Sequence, residues 1–67
     1  MIRNHLRGAR EANGLTQADL AQALGVSRQM VISLEQGRYF PSLDLALRLA
    51  RHFARPVESL FQLVEPE

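Results

Sequence analysis

Four residues of one short stretch, Arg28, Gln29, Ile32 and Ser33, combine side chains able to read the edges of stacked bases. A guanidinium can grip guanine O6 and N7 with two hydrogen bonds, a carboxamide does the same for adenine N6 and N7, and a serine hydroxyl serves either. Taking about 100° per residue and Arg28 as origin, these four share with Gln36 an arc of roughly 140° on one helix. Val31 and Leu34 fall on the other side at about 300° and about 240°, with Met30 bordering them at about 200°. One face is thus apolar and the other carries base-reading groups. Ile32, in the middle of the polar arc, either meets a thymine methyl or is an ordinary exposed apolar residue.

Groups suited to a phosphate backbone flank this stretch. Thr16 and Gln17 stand at the start of the preceding helix, where free N–H groups and the helix dipole favour an anion. Arg38 and Tyr39 follow the stretch, where a loop would meet the opposite strand; Tyr39 is either such a contact or a packed loop aromatic. Backbone contacts of this kind fix register and give salt-dependent affinity without reading sequence.

Short helices must hold these groups. Residues from Asn4 to Asn13 are mostly helix-compatible, although Gly8 costs about 1 kcal/mol relative to alanine, and Asn13-Gly14 is a stop. Thr16 caps a helix over 17–24, with Asp19 as its capping-box acid, and Gly25 ends it. Ser27 caps the next, which runs to Gln36 before Gly37. Leu20 and Leu24, with small Ala21 beside them, face Val26, Val31 and Leu34. Two helices crossing closely through a glycine turn make a helix-turn-helix over 17–36, with 28–36 presented toward a major groove.

After the loop 38–41, Ser42 caps a fourth helix. Its apolar stripe Leu45, Ala46, Leu49, Ala50 and Phe53 faces a core. Pro56 suits the first turn of a short fifth helix containing Val57, Leu60 and Phe61. Residues 62–66 are too short and polar for a helix. They read as an extended segment able to pair with Met1-Ile2-Arg3 in a two-stranded ribbon.

Composition narrows the function classes. All eight basic residues are arginine, against seven acids, for a net charge of +1 over 67 residues. The charge is unevenly spread. Through Arg55 the eight arginines meet only Glu11, Asp19, Glu35 and Asp44, whereas Glu58, Glu65 and Glu67 lie beyond without a base. A basic body with an acidic tail suits an anionic partner on one face, although ordinary surface charge would look the same. Without cysteine there is neither a disulfide framework nor a thiolate metal site, and no cofactor or metal is expected. His5 and His52 have no nucleophile or acid–base constellation around them, so an enzyme is the weakest reading. No apolar run approaches the ~20 residues that cross a bilayer, and the start lacks the apolar stretch of a signal peptide, so a cytoplasmic protein without a membrane partner is expected.

The stretch Gln17-Ala-Asp-Leu-Ala-Gln-Ala-Leu-Gly-Val-Ser, followed by Val31 and Leu34-Glu35-Gln36-Gly37, resembles the XRE-type (phage repressor and Cro-like) helix-turn-helix family. Pro41-Ser42-Leu43 and Pro56-Val57-Glu58-Ser59-Leu60-Phe61 extend the likeness over essentially the whole chain, nearest to the small stand-alone members. The resemblance implies an all-α, five-helix domain over 1–67, a symmetric homodimer and double-stranded operator DNA as partner. It implies that Gln17, Ser27, Arg28, Gln29 and Ser33 lie at the DNA. It also implies a buried ion pair between Arg10 and Glu35, and in the nearest relatives a ribbon joining the termini. Gly8 and Ala9 stand where relatives carry larger apolar residues, which implies a less firmly packed first helix. Met30 and Ile32 make the recognition helix less polar than is common in the family.

One copy makes few base contacts, each worth about 1–3 kcal/mol of discrimination, so a second copy is needed to select a site in a genome. Leu60 is assigned to closing the core. Val57 and Phe61, with Phe40 nearby, are left for an interface. The function expected is a sequence-specific transcription regulator acting as a repressor, with no small-molecule effector evident. The alternative is an antitoxin or accessory protein-interaction module in which DNA binding is secondary.

Overall fold

A computed structural model of the chain describes residues 1–65; Pro66 and the tail acid Glu67 lie outside the described residues. In chain order the elements are β1 (Ile2–Asn4), α1 (Leu6–Ala12), α2 (Gln17–Leu24), α3 (Arg28–Glu35), α4 (Leu43–Phe53), α5 (Val57–Leu60) and β2 (Phe61–Leu63). The fold is therefore mostly helical, with a small antiparallel ribbon.

Side-chain caps fix three of the helix starts. The Thr16 hydroxyl accepts from the Asp19 N–H at 3.0 Å, and the Asp19 carboxylate accepts from the Thr16 N–H at 3.0 Å, a complete capping box. Hydrogen bonding to Thr16, first to its backbone N–H and then to its side chain, holds the Asp19 carboxyl below the usual carboxylate range. Ser27 and Ser42 cap α3 and α4 by accepting from the N–H groups of Met30 and Leu45, each at 3.1 Å. Between α2 and α3, Gly25 takes the left-handed conformation (φ 70°). This lets the Val26 N–H reach back to the Ala21 carbonyl at 3.0 Å, closing the tight turn of the helix-turn-helix.

The core joins every helix. Leu6 and Ala9 of α1, Leu20, Ala21 and Leu24 of α2, Val31 and Leu34 of α3, Leu45, Leu49 and Phe53 of α4, and Leu60 of α5 form one buried cluster. Val26, Met30, Ala50 and Phe61 pack half-buried against it. Leu60 does close the core, with no exposed surface.

Several boundaries differ from the sequence reading. The first helix begins at Leu6 rather than Asn4, because Asn4 is claimed by the ribbon, in which Ile2, Arg3 and Asn4 pair with Leu63, Gln62 and Phe61. Asn4 also accepts from the Leu6 N–H through Oδ1 at 2.8 Å and donates through Nδ2 to the Leu34 carbonyl. Phe61 is the first residue of β2 rather than part of the fifth helix, and Pro56 precedes α5 with extended ψ instead of occupying its first turn. Residue 36 caps the end of α3 instead of belonging to it. Gly8 is exposed with open space where a Cβ would stand, so a larger residue there would add nothing to the core, while Ala9 is buried.

Candidate nucleic-acid interface

The helix α3 is pinned from within. Val31 and Leu34 have no exposed surface, and they turn Arg28, Gln29 and Gln36 out into solvent. Ser33 is half-buried. So is Ile32, a correction to its expected full exposure: it leans over the side of α3 that carries Glu35 and lines a depression with Arg7, Gln17 and Gln36. Part of its apolar surface is thus already covered by protein.

Beneath that depression lies an ion pair. Arg10 donates from Nε to Glu35 Oε2 at 2.6 Å and from Nη2 to Oε1 at 3.2 Å, a two-bonded arrangement 4–11% exposed at the side chains. Hydrogen bonding to Glu35 raises the Arg10 pKa above its ordinary value, against the opposing effect of burial. Arg10 also donates from Nη1 to the Leu15 carbonyl at 2.7 Å, which ties the loop before α2 to α1. Glu35 takes a third donor, Gln17 Nε2, at 3.3 Å. One network therefore links α1, α2 and α3 and fixes how the two helices of the motif cross.

The remaining sites fall on the two flanks of α3. On one flank, Thr16, Gln17 and Arg28 line a shallow depression at the start of α2. Thr16 and Gln17 are each partly committed there, the hydroxyl to its cap and the amide to Glu35. The backbone N–H groups of Gln17 and Ala18, in the first turn of α2, have no intrahelical partner and point out of the helix. On the other flank, Ser27, Gln29, Met30, Ser33, Arg38 and Tyr39 line a single groove between α3 and the loop that follows it. Tyr39 is 42% exposed at the edge of that groove.

Arg7 is the member of this surface that the sequence reading missed. The signal was present. Arg10 and Arg7 are three residues apart on α1, so a helix that aims Arg10 at α3 brings Arg7 to the same side.

The apolar residues assigned to an interface separate in the structure. Phe40 is 61% exposed in the loop before α4, whereas Val57 is half-buried and Phe61 packs against the core from β2. Leu43 and Leu47, one turn apart on α4, are exposed as well. Among the described residues, no group of three or more His, Cys, Asp or Glu is placed to hold a metal ion, and no helix is long and apolar enough to cross a membrane.

Residues 6–60 match the helix-turn-helix family. The chain is 47% identical over 60 residues to an uncharacterized HTH-type transcriptional regulator of Methanocaldococcus jannaschii, covering 90% of this chain and 91% of that one. A protein of the same description from Methanothermobacter thermautotrophicus is 49% identical over 65 residues, covering 96% and 94%. The uncharacterized HTH-type transcriptional regulator YgzD of Bacillus subtilis is 38% identical over 64 residues, covering 96% and 97%. With the tight glycine turn between α2 and α3 and the outward-facing arc on α3, these matches establish that the chain belongs to the helix-turn-helix family.

Proposed function

We propose that the protein is a sequence-specific, double-stranded DNA-binding transcription regulator that inserts α3 into the major groove and acts as a homodimer on a palindromic operator. The observation that carries this reading is the arrangement around α3. Arg28, Gln29, Ile32 and Ser33, the side chains we assign to base reading, lie between two flanks, Thr16 and Gln17 on one and Ser27, Arg38 and Tyr39 on the other. A helix with its side chains is about 10–12 Å across, and the major groove about 12 Å wide. A helix seated there has a phosphate strand beside each flank. The named relatives, described as HTH-type transcriptional regulators, support the same function.

Repression is the simplest outcome of such binding. Occupying an operator that overlaps a promoter excludes polymerase and requires no surface beyond the DNA face. Phe40, Val57 and Phe61 are the proposed contacts between copies.

Selection from a random duplex library, followed by affinity as a function of salt, tests the proposal. The expected product is a palindrome with half-sites about one turn, ~34 Å, apart and a dissociation constant of order 10⁻⁸ M or tighter. Arg28→Ala and Gln29→Ala should each relax selection at a different base pair, at a cost of about 1–3 kcal/mol. Enrichment of no sequence, with only weak and salt-sensitive binding, would overturn the operator reading and direct attention to a protein partner.

A further inference from the structure

Resting on the DNA-binding reading above, we propose that Arg7 of α1 is a phosphate-contacting residue that extends the interface beyond the helix-turn-helix. The two flanks of α3 carry their cations at different places. The flank toward the following loop has Arg38, exposed and without an ion-pair partner among the described residues. The flank toward α2 has Arg28 beside Thr16 and Gln17 at the start of α3, and that arginine is the one assigned to base reading. Arg10 lies under that flank, but its charge is matched by Glu35 and its side chain is 11% exposed.

Arg7 supplies an exposed cation at the far end of the same flank. It lines the depression that Gln17, Ile32 and Gln36 share, alongside the C-terminal half of α3. Its side chain is 72% exposed. Its acidic neighbour, Glu11, sits one turn later on α1 with Oε2 3.5 Å from Arg7 Nε and is itself 55% exposed. An ion pair so open to water contributes little to folding and is readily exchanged for a phosphate. The row Arg28, Ile32, Gln36 runs the length of α3 at four-residue spacing. Its first end adjoins Thr16 and Gln17, and its far end adjoins Gln17 and Arg7. A strand following that flank passes the start of α2 first and Arg7 next.

A phosphate contact has a signature that base reading and structural support lack. Each phosphate neutralised contributes about 0.9 to the slope of log affinity against log salt. The Arg7→Gln variant should therefore have a shallower slope by about 0.9 for each protomer on the duplex. At 0.1 M salt its affinity should fall roughly eightfold per protomer, converging on the unsubstituted protein near 1 M. The loss should be equal on operator and unrelated duplex, because phosphates carry no sequence information. Glu11→Gln should act in the opposite sense by releasing Arg7.

Arg55→Gln removes the same charge from a depression lined by His5, Gly8 and Ser59, which contains no residue of α3, and should leave the slope unchanged. An unchanged slope for Arg7→Gln would overturn the proposal. So would a loss independent of salt, or an equal loss of slope in Arg55→Gln. A protein that enriches no operator but still binds duplex overturns the operator reading while leaving Arg7 open to the same measurement. A protein without any salt-dependent duplex binding overturns both.

Discussion

At the scale of single residues, the most consequential group is Glu35, which accepts from Arg10 twice and from Gln17 once while 4% exposed. Removing one member of such a pair leaves the other charged and desolvated, at a cost of about 3–5 kcal/mol. A chain of this length has only a few kcal/mol in hand, at roughly 0.05–0.15 kcal/mol per residue. Glu35→Ala should therefore lose most of its stability, and urea denaturation followed by helical circular dichroism will measure it. A loss under about 1 kcal/mol would put the pair in the class of exposed ion pairs. The family resemblance, rather than any local spacing, is what brought Arg10 and Glu35 together across 25 residues. Gln17 shows the limit of such reading. Its place at the start of α2 was legible from the Thr16 cap, but its bond to Glu35 depends on how two helices cross.

At the scale of elements, legibility followed the chemistry of the ends. Thr16, Ser27 and Ser42 each announce a helix start, and α2, α3 and α4 begin where those caps require. The start of α1 was less legible because Asn4 is compatible with a helix and only its ribbon partner Phe61, far along the chain, removes it. The end of α4 carries no glycine signal. The first three helices close with an N–H reaching five residues back across a left-handed glycine, as Val26 does to Ala21. In α4 the same closure, Arg55 N–H to the Ala50 carbonyl at 3.0 Å, passes over Ala54 with φ 53°. An alanine there bears about 1–2 kcal/mol of crowding between Cβ and carbonyl, while glycine loses more chain entropy on folding, so Ala54→Gly should stabilise by roughly 0.5–1 kcal/mol. For a domain of this size that corresponds to several degrees in Tm, at about 4–8 °C per kcal/mol. An unchanged or lowered Tm in a thermal melt would show that the left-handed alanine is not strained.

At the scale of the whole molecule, the question is which apolar surface a second copy would cover. The protomer measures 38 × 23 × 21 Å, close along its length to the ~34 Å of one helical turn, and presents one recognition helix. A two-fold pair would present two helices on successive turns, and the axis must pass through a surface that leaves α3 of both copies free. Exposure ranks the candidates. Phe40 is 61% exposed, whereas Val57 and Phe61 are half-buried and therefore have less surface to lose. Leu43 and Leu47 stand beyond Phe40 on α4, at 75% and 53% exposed. Burying apolar surface of this kind contributes about 25 cal/mol per Å², and a carboxylate introduced into it remains unpaired. For the proposed homodimer, Phe40→Asp and Val57→Asp should each shift the equilibrium from dimer to monomer in sedimentation. Both should weaken binding to a full palindrome while sparing binding to a single half-site, because α3 and its two flanks are untouched. A dimer that persists in both variants but is lost in Leu47→Asp would move the axis onto the outer face of α4. A dimer that survives all three substitutions would exclude Phe40, Val57 and Leu47 as its contacts.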